Sequence, residues 1–383
     1  MPYATDFLSG IGLLQMTFPR AVMILIGLIF LYIGIVKKKE PLLLIPMSFG
    51  IIIANIPIAG LSAYDAGGLL HFLYQGISLV IFPPLIFLCI GVMTDFAPLI
   101  SSPKSAFIGL GGQLGIFVCF GLALVFGDVL SAVIPGFDGF TMQDAASIAI
   151  IGSSDGPTAI FTASTLAPDI LPAVAIAAYS YMALVPLIQP PIMRALTTPK
   201  ERVIVMPEPR KVTKTQKILF PVCMTVGVLL LVPAAGALIG MLMLGNLIRE
   251  CGVTERYART LQNEALNILT LLLGVALGSS ATAERFLAPQ TLIIIMLGLL
   301  AFVFGTVGGV LIAKLMCKLT GGKINPLIGN SGVSAMPMAA RVSQSVGQEY
   351  NPQNHLLMHA MGPIVSSTIG SAIIAGLFIS ILS

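Results

Sequence analysis

Long apolar stretches, separated by short polar or basic turns, recur along the whole chain. They lie at 20–36, 42–58, 69–93, 105–127, 170–192, 265–281, 289–312 and 354–381. About 20 consecutive apolar residues suffice for an α-helix to cross the hydrocarbon core of a bilayer. The pattern therefore predicts an all-α polytopic membrane protein surrounded by lipid. The stretch 218–248, with Pro233 inside it, is either a helical hairpin or one bent helix.

Composition narrows the class of protein. Hydrophobic residues make up 56% of the 383 residues and charged residues only 9%, whereas soluble domains carry about 25% charged residues. This composition excludes a soluble enzyme, and we expect a lipid bilayer rather than nucleic acid as the partner surface. The sequence has no Gly-Lys-Ser/Thr loop for phosphate. The energy for uphill transport would therefore come from an ion gradient or from a reaction of a partner.

Lysine and arginine clusters indicate which turns lie on the cytoplasmic side of the membrane. Three lysines at 37–39 follow the first span, and Lys104 follows the third. The densest basic stretch, 194–217, divides the chain. We interpret it as a cytoplasmic linker between a first transmembrane half, 1–193, and a second transmembrane half, 218–383.

Counting the crossings between these basic turns leaves two segments that do not span the membrane. The segment that holds Asp155 begins and ends on the outside, so it should dip into the membrane and return. The second segment, 324–341, is rich in Gly, Pro, Asn and Ser and should dip in from the cytoplasmic side. Two re-entrant segments that enter from opposite faces are expected to meet near the midplane.

The two re-entrant segments also resemble each other. IGSSDGPTAIFTA at 151–163 aligns with IGNSGVSAMPMAA at 328–340, which places Ser154 opposite Ser331. Weak internal similarity between halves of opposite orientation, with broken helices at matching places, is typical of transporters with inverted-topology repeats. Chance similarity between two stretches rich in Gly, Ser and Ala is the alternative.

Asp155 is the residue with the strongest functional implication. A charged side chain in the membrane centre costs about 2.5–3.5 kcal/mol on insertion scales and usually has a function. Carbonyl groups freed by the helix break, the Ser154 hydroxyl and the Asp155 carboxylate would form an oxygen cage suited to a hard cation such as Na+. The simpler interpretation is that Asp155 caps the helix after the break.

Other polar residues accompany these segments. The second segment contains Asn325, Asn330, Ser331, Ser334 and Arg341. Arg341, at the expected cytoplasmic end, is either a basic anchor or a two-pronged donor to an anionic carboxyl group. Tyr181, in the span after the first segment, either packs between helices or donates a proton.

At IGSSDGPTAIF (151–161) and NPLIGNSGVSAMPMAAR (325–341) the chain resembles the β subunit of the biotin-dependent sodium-translocating decarboxylases. This group acts on oxaloacetate, methylmalonyl-CoA and glutaconyl-CoA, and the likeness extends to 245–264 and 355–363. The resemblance implies a subunit that decarboxylates carboxybiotin, consumes a proton and drives Na+ outward across the inner (cytoplasmic) membrane.

The resemblance also implies partners. A carboxyltransferase (α) subunit would move the carboxyl group onto biotin, a biotin carrier subunit would deliver it, and a small membrane anchor subunit would complete the complex. We expect a homo-oligomer of this chain within that complex. Biotin attachment sites read Ala-Met-Lys-Met, and Pro337 stands at the lysine position of 335–338. Carboxybiotin should therefore come from the carrier, without covalent attachment to this chain.

The same resemblance implies roles for individual residues. The Na+-binding aspartate falls on Asp155 and the tyrosine of the coupled proton step falls on Tyr181. The functional residues of the second broken segment fall on Asn325, Gly329, Ser334 and Arg341. We expect the Na+ ligands to be Asp155, Ser154, Asn325, Gly329 and Ser334. We expect carboxybiotin to contact Arg341 and Asn325, and catalytic roles for Tyr181, Arg341 and Ser334.

Two alternatives remain open. The family usually has an asparagine directly after the Gly-Pro of the last span, and this chain has Ile364 there, so a proton-coupled or impaired variant would also fit. Alternatively, a freestanding Na+-coupled secondary transporter of a small organic anion would use the same repeats, broken helices and arginine. The two interpretations differ in one requirement: the decarboxylase subunit needs a biotinylated partner, whereas such a transporter works alone. A purely structural membrane anchor fits poorly with an intramembrane acid.

Overall fold

The computed structural model describes residues 11–38, 40–135 and 137–383. Lys39, one of the lysines expected at the cytoplasmic side, lies outside these residues. The described chain is helical and contains no β-strand. The first half contains α1 Phe18–Ile35, α2 Pro41–Ala54, α3 Leu69–Ser78, α4 Phe82–Met93, α5 Pro103–Ser131, α6 Met142–Ala149, α7 Gly156–Leu166 and α8 Leu171–Leu196.

The second half repeats this order with fewer breaks. It contains α9 Lys214–Leu231, α10 Gly236–Glu250, α11 Glu255–Ser280, α12 Pro289–Leu319, α13 Met338–Tyr350 and α14 Leu357–Leu382. Short helical segments fill several connections. They lie at Gly12–Gln15, Ala97–Ser101, Ile150–Ser153, Pro199–Arg202, Pro233–Ala235, Ala283–Phe286 and Pro326–Gly332.

Among the described residues, six helices are long and apolar enough to cross a membrane, namely α1, α5, α9, α11, α12 and α14. Two bent units satisfy the same test as pairs. The first is α3 with α4, at 67°, and the second is α8, which bends by 63° between Met182 and Leu184. These elements confirm the all-α polytopic membrane fold predicted from the apolar stretches.

The stretch 218–248 is a hairpin and not one bent helix. α9 begins after the N-cap Thr213, whose hydroxyl accepts from Gln216 N in a capping box. It ends at Leu231, because Pro233 lacks an amide hydrogen and disfavours a helical conformation at the residue before it. α10 then folds back and packs against α9.

The two halves pack in corresponding ways. Each begins with two packed helices, α1 with α2 and α9 with α10, and the second helix of each pair packs against the other half, α2 on α11 and α10 on α4. Both crossings depend on glycine. A Cβ on Gly50 would lie 2.6 Å from the Val275 carbonyl oxygen, and a Cβ on Gly91 would overlap the Leu242 carbonyl. Small residues of this kind allow close approach of membrane helices.

The basic stretch 194–217 is folded against both halves. Arg202 is buried, and its guanidinium donates to the Thr197 hydroxyl at 2.9 Å and to the Tyr350 hydroxyl at the end of α13 at 2.7 Å. Arg210 donates to the carbonyl oxygen of Ile100 at 3.1 Å. The linker therefore ties the second re-entrant segment to the turn that precedes α5.

Candidate functional site

The two broken segments are in direct contact. The amide of Ser334 donates a 2.7 Å hydrogen bond to the carbonyl oxygen of Ser153. In the first segment the chain leaves α6 through a 3-10 turn and changes direction at Ser154, whose φ of 56° lies in the left-handed region. In the second, the 3-10 turn Pro326–Gly332 leads into an extended stretch before α13.

The local sequence explains the first break. Ser154 and Asp155 have non-helical conformations, and α7 then starts with Gly156 and Pro157. Proline favours the first turn of a helix because its missing amide hydrogen is not needed there. Glycine is required at position 156, because a Cβ there would lie 2.8 Å from the Tyr179 hydroxyl oxygen and closer still to its ring.

Asp155 is buried, with 6% of its surface exposed. Its Oδ2 accepts hydrogen bonds from the Thr158 hydroxyl at 2.7 Å and from the Ser371 hydroxyl of α14 at 3.3 Å. Within the described residues, no lysine, arginine or histidine forms an ion pair with this carboxylate. A buried carboxylate without a basic partner is unfavourable unless a cation or a proton neutralises it.

A cavity of about 270 Å³ lies beside this carboxylate. Its inner wall consists of both breaks and the neighbouring helices α8 and α14, through Ser154, Asp155, Tyr179, Ser334 and Thr368. The cavity is also lined by polar residues near the start of α2 and in α11, namely Glu40, Asn267 and Thr270. Burial raises the pKa of the Glu40 carboxyl.

The donors around the inner end of the cavity are oxygen atoms. The Ser154 hydroxyl is buried and has no hydrogen-bond partner among the described residues. The Ser334 hydroxyl donates to that of Ser367 at 3.1 Å, and the Gln113 side-chain amide donates to the same Ser367 hydroxyl at 2.9 Å. Hydroxyl and carboxylate oxygens suit a hard cation such as Na+. The residues present therefore fit the predicted ion.

Tyr181 does not face this cavity. Its hydroxyl donates to the carbonyl oxygen of Ile295 in α12, and its ring packs against Gly298. Tyr179, two residues earlier, lines the cavity beside Asp155. Residues two apart on a helix lie on opposite sides, so the helical spacing alone shows that both tyrosines cannot face the same site. It does not show which of them does.

Asn325 and Gly329 lie away from Asp155. The Asn325 amide donates to the carbonyl oxygens of Arg202 at 3.1 Å and Ile204 at 2.9 Å. Gly329 packs against α12, where a Cβ would lie 2.5 Å from the Val310 Cα. Neither residue lines the cavity. In this structure both hold the second segment in place.

A buried amide pair that the sequence did not indicate fixes the second break. Gln189 of α8 accepts from the Asn330 side chain at 2.8 Å and donates to the Asn330 carbonyl oxygen at 3.0 Å. The Ser343 hydroxyl donates to Asn330 Oδ1 at 2.5 Å. Asn330 stands in the polar second segment, whereas its partner Gln189 lies 141 residues away in an ordinary apolar stretch.

Arg341 lies in the first turn of α13 and is exposed. It lines a groove of about 570 Å³ between α8 and α13, together with Pro190, Arg194, Met338 and Glu349. Arg194 and Glu349 form a 2.6 Å ion pair across this groove. Within the described residues, the Arg341 guanidinium has no hydrogen-bond or ion-pair partner, so it is free to receive an anion.

Ile364 is fully buried in an apolar cluster that also contains Ile108, Val333 and Ala335. The position after Gly362-Pro363 therefore contributes no side-chain ligand in this chain. Polar atoms of α14 that reach the breaks come from Ser367, Thr368 and Ser371, one to two turns further along the helix.

Comparison with known proteins identifies the family of this chain. Residues 19–382 match the model of the family described as Na+-transporting oxaloacetate decarboxylase beta subunit. The chain is 52% identical to the methylmalonyl-CoA decarboxylase subunit beta of Propionigenium modestum, over 98% of each chain.

Two further relatives show similar coverage. The chain is 49% identical to the glutaconyl-CoA decarboxylase subunit beta of Acidaminococcus fermentans, over 99% of this chain and 97% of the relative. It is 45% identical to the oxaloacetate decarboxylase beta chain of Klebsiella pneumoniae, over 97% of each. This chain, with its buried unpaired acid between two broken helices, belongs to the family of beta subunits of Na+-transporting decarboxylases.

Proposed function

We propose that this chain decarboxylates carboxybiotin and couples that reaction to outward Na+ transport, with consumption of a proton. The observation that carries the proposal is Asp155, a buried carboxylate with no basic partner, at the contact of two broken helices. A cation that binds there removes an uncompensated charge from the protein interior. A site of this kind binds ions tightly only when the negative charge is present.

The proposed Na+ site consists of the Asp155 carboxylate, the Ser154 and Ser334 hydroxyls and, from α14, Thr368. The first two residues belong to one half of the chain and the last two to the other. The ion would therefore hold the halves together at the break. Release of the ion would require the two segments to separate, and the backbone hydrogen bond between Ser334 and Ser153 is one contact that would have to change.

The proposed carboxybiotin site is the groove at Arg341. A guanidinium with no competing partner donates two parallel hydrogen bonds to a carboxylate, and the anionic carboxyl group of carboxybiotin has that geometry. The second segment lines both the ion cavity and the groove, because Met336 and Pro337 line the cavity and Met338, the next residue, lines the groove. Binding of the carboxyl group would therefore act directly on the segment that contacts the ion.

We propose further that the biotin is borne by a carrier subunit and loaded by a carboxyltransferase (α) subunit, because the lysine of a biotin attachment site is replaced by Pro337. A small membrane anchor subunit and further copies of this chain would complete a complex in the inner (cytoplasmic) membrane. Tyr181 and Ser334 remain the proposed catalytic residues, with Tyr181 as the donor of the consumed proton.

The direct test measures CO2 release from free carboxybiotin by the purified subunit, with and without Na+. Sodium-stimulated release is expected, because the ion completes the site at Asp155. The same preparation in vesicles, without any biotin compound, should not transport Na+ or an organic anion. Transport by the chain alone, with no CO2 release from well-folded protein, would favour the freestanding carrier instead.

Replacement of Arg341 by glutamine should raise the KM for free carboxybiotin about tenfold or more, because a charged hydrogen-bond donor contributes about 1.5–3 kcal/mol. The half-saturating Na+ concentration should change little. Arg256→Gln serves as the matched control. Arg256 is also exposed and belongs to a basic turn with Arg249 and Arg259, which the charge pattern places on the cytoplasmic side, but it lies outside the groove. An unchanged KM in Arg341→Gln would remove the arginine from the carboxybiotin site.

Conservative variants distinguish the roles of Tyr179 and Tyr181. Tyr179→Phe removes a hydroxyl from the cavity wall beside Asp155. It should raise the half-saturating Na+ concentration about threefold or more, because one oxygen atom available to the ion is lost, an effect of about 1 kcal/mol. Tyr181→Phe should lower the decarboxylation rate at every Na+ concentration if its hydroxyl supplies the proton. A Tyr181→Phe enzyme with the wild-type rate would assign the proton to another group.

A further inference from the structure

The cavity beside Asp155 extends to one surface of the protein. Glu40, the N-cap residue of α2, lines it and is half-buried. The lining also includes Met93, the last residue of α4, and Asn267 and Thr270 in α11, of which Asn267 is exposed. The cavity thus has one carboxylate on its inner wall, Asp155, and a second, Glu40, closer to the protein surface.

The charge distribution identifies the membrane side on which this cavity opens. Glu40 follows the basic turn with Lys37 and Lys38 and directly precedes α2. Basic turns of this kind lie on the cytoplasmic side, so the Glu40 end faces the cytoplasm. On the other side of Asp155, α7 is buried at every position from Gly156 to Ser164. Protein therefore separates the carboxylate from the opposite face.

Two carboxylates face this one passage. Glu40 and Asp155 line the same cavity, together with the Tyr179 side chain. A recess lined by charge of one sign and bounded by apolar protein concentrates counterions at its mouth. The unpartnered Ser154 hydroxyl at the inner end provides an oxygen ligand for a cation that has entered.

We infer that this cavity is the cytoplasmic access path of Na+ and that Glu40 is the carboxylate at its entrance. The inference rests on the proposed function, because it takes Asp155 as the place where the ion binds. Na+ enters beside Glu40, passes Asn267 and Thr270, and reaches Asp155 and Ser154. The structure accordingly represents the conformation that loads the ion from the cytoplasm, before the site opens outward.

The first test measures the accessibility of the path by thiol labelling. Asn267→Cys is placed in a variant with its five native cysteines replaced, and membrane-impermeant cationic and anionic methanethiosulfonate reagents are applied to vesicles of known orientation. Labelling is expected from the cytoplasmic face, with the cationic reagent about threefold or more faster. Ile268→Cys is the matched control. Ile268 is the next residue, is 58% exposed on the outer surface of α11 and does not line the cavity.

Adding Glu40→Gln to the Asn267→Cys protein should abolish most of the preference for the cationic reagent. Labelling of Asn267→Cys from the opposite face only, or a preference that Glu40→Gln leaves unchanged, would overturn the inference. This readout does not depend on decarboxylation. If the wild-type protein shows no Na+ response in CO2 release but the labelling result holds, the proposed function fails and the cation path stands.

The second test uses the protein with its native cysteines. Glu40→Gln should raise the half-saturating Na+ concentration about three- to tenfold, and the increase should shrink at high ionic strength because salt screens the entrance charge. Glu264→Gln is the control, since Glu264 is an exposed carboxylate one turn before Asn267 and outside the cavity lining. Equal Na+ curves for Glu40→Gln and Glu264→Gln would contradict a role for Glu40.

Discussion

Asp155→Asn is expected to abolish Na+-stimulated decarboxylation, with a loss of at least 100-fold in the stimulated rate. Asparagine keeps the shape of the side chain, and its amide oxygen can still accept from Thr158 and Ser371, so the break should stay folded. The negative charge is lost, and a neutral oxygen attracts Na+ far more weakly than a carboxylate in a region shielded from water. The measurement is CO2 release from carboxybiotin as a function of Na+ concentration.

Thermal unfolding gives an independent readout of the same change. A ligand that binds only the folded protein stabilises it, so Na+ should raise the unfolding temperature of the wild type and leave that of Asp155→Asn unchanged. In Na+-free buffer the variant should be at least as stable as the wild type, because an unpaired buried charge has been removed. This comparison separates loss of the ion site from loss of the fold.

Asp128→Asn is the matched control for both measurements. Asp128 is exposed near the end of α5 and lies outside the cavity, so its neutralisation should leave the Na+ curve and the unfolding temperature of the protein unchanged. If Asp155→Asn retained the wild-type response to Na+, the ion would have to bind elsewhere, and the proposed site would be wrong.

Gly112→Ala is expected to prevent correct folding or to lower the free energy of unfolding by more than about 3 kcal/mol, well above the usual effect of a point mutation. Gly112 lies in α5 where the second break crosses it. A Cβ there would overlap the carbonyl oxygen of Gly332 and lie 3.0 Å from its Cα. Both partners are backbone atoms, so no side-chain rotation relieves the overlap, and the second break would have to move away from α5.

Gly121→Ala, nine residues later in the same helix, is the control. A Cβ at Gly121 would have no atom within 4 Å, and alanine favours a helix over glycine by about 1 kcal/mol. The measurements are the yield of monodisperse protein and its thermal unfolding in a membrane-mimetic detergent. A Gly112→Ala protein as stable as Gly121→Ala would mean that α5 and the second break are not in close contact.

The sequence by itself determined the class of protein and the location of its unusual segments. These features act through local chemistry and do not depend on distant residues. The length of an apolar stretch sets whether it can span the bilayer, and basic residues keep a turn on the cytoplasmic side. At Gly156-Pro157, the proline lacks an amide hydrogen, which interrupts the helix. For the same reason Asp155 stood out before any contact was known. The hairpin at 218–248 depended on the packing of α9 against α10, which Pro233 permits but does not require.

Only the tertiary structure decided which side chains share the site. The partners of Asp155 and Asn330, namely Ser371 and Gln189, lie 216 and 141 residues away in the chain. Tyr179 faces the cavity and Tyr181 does not, because the rotation of α8 is set by its packing on α12. Asn325 contacts the folded linker instead of the ion cavity. These outcomes follow from how helices dock against one another, and residue type and spacing along one segment do not contain that information.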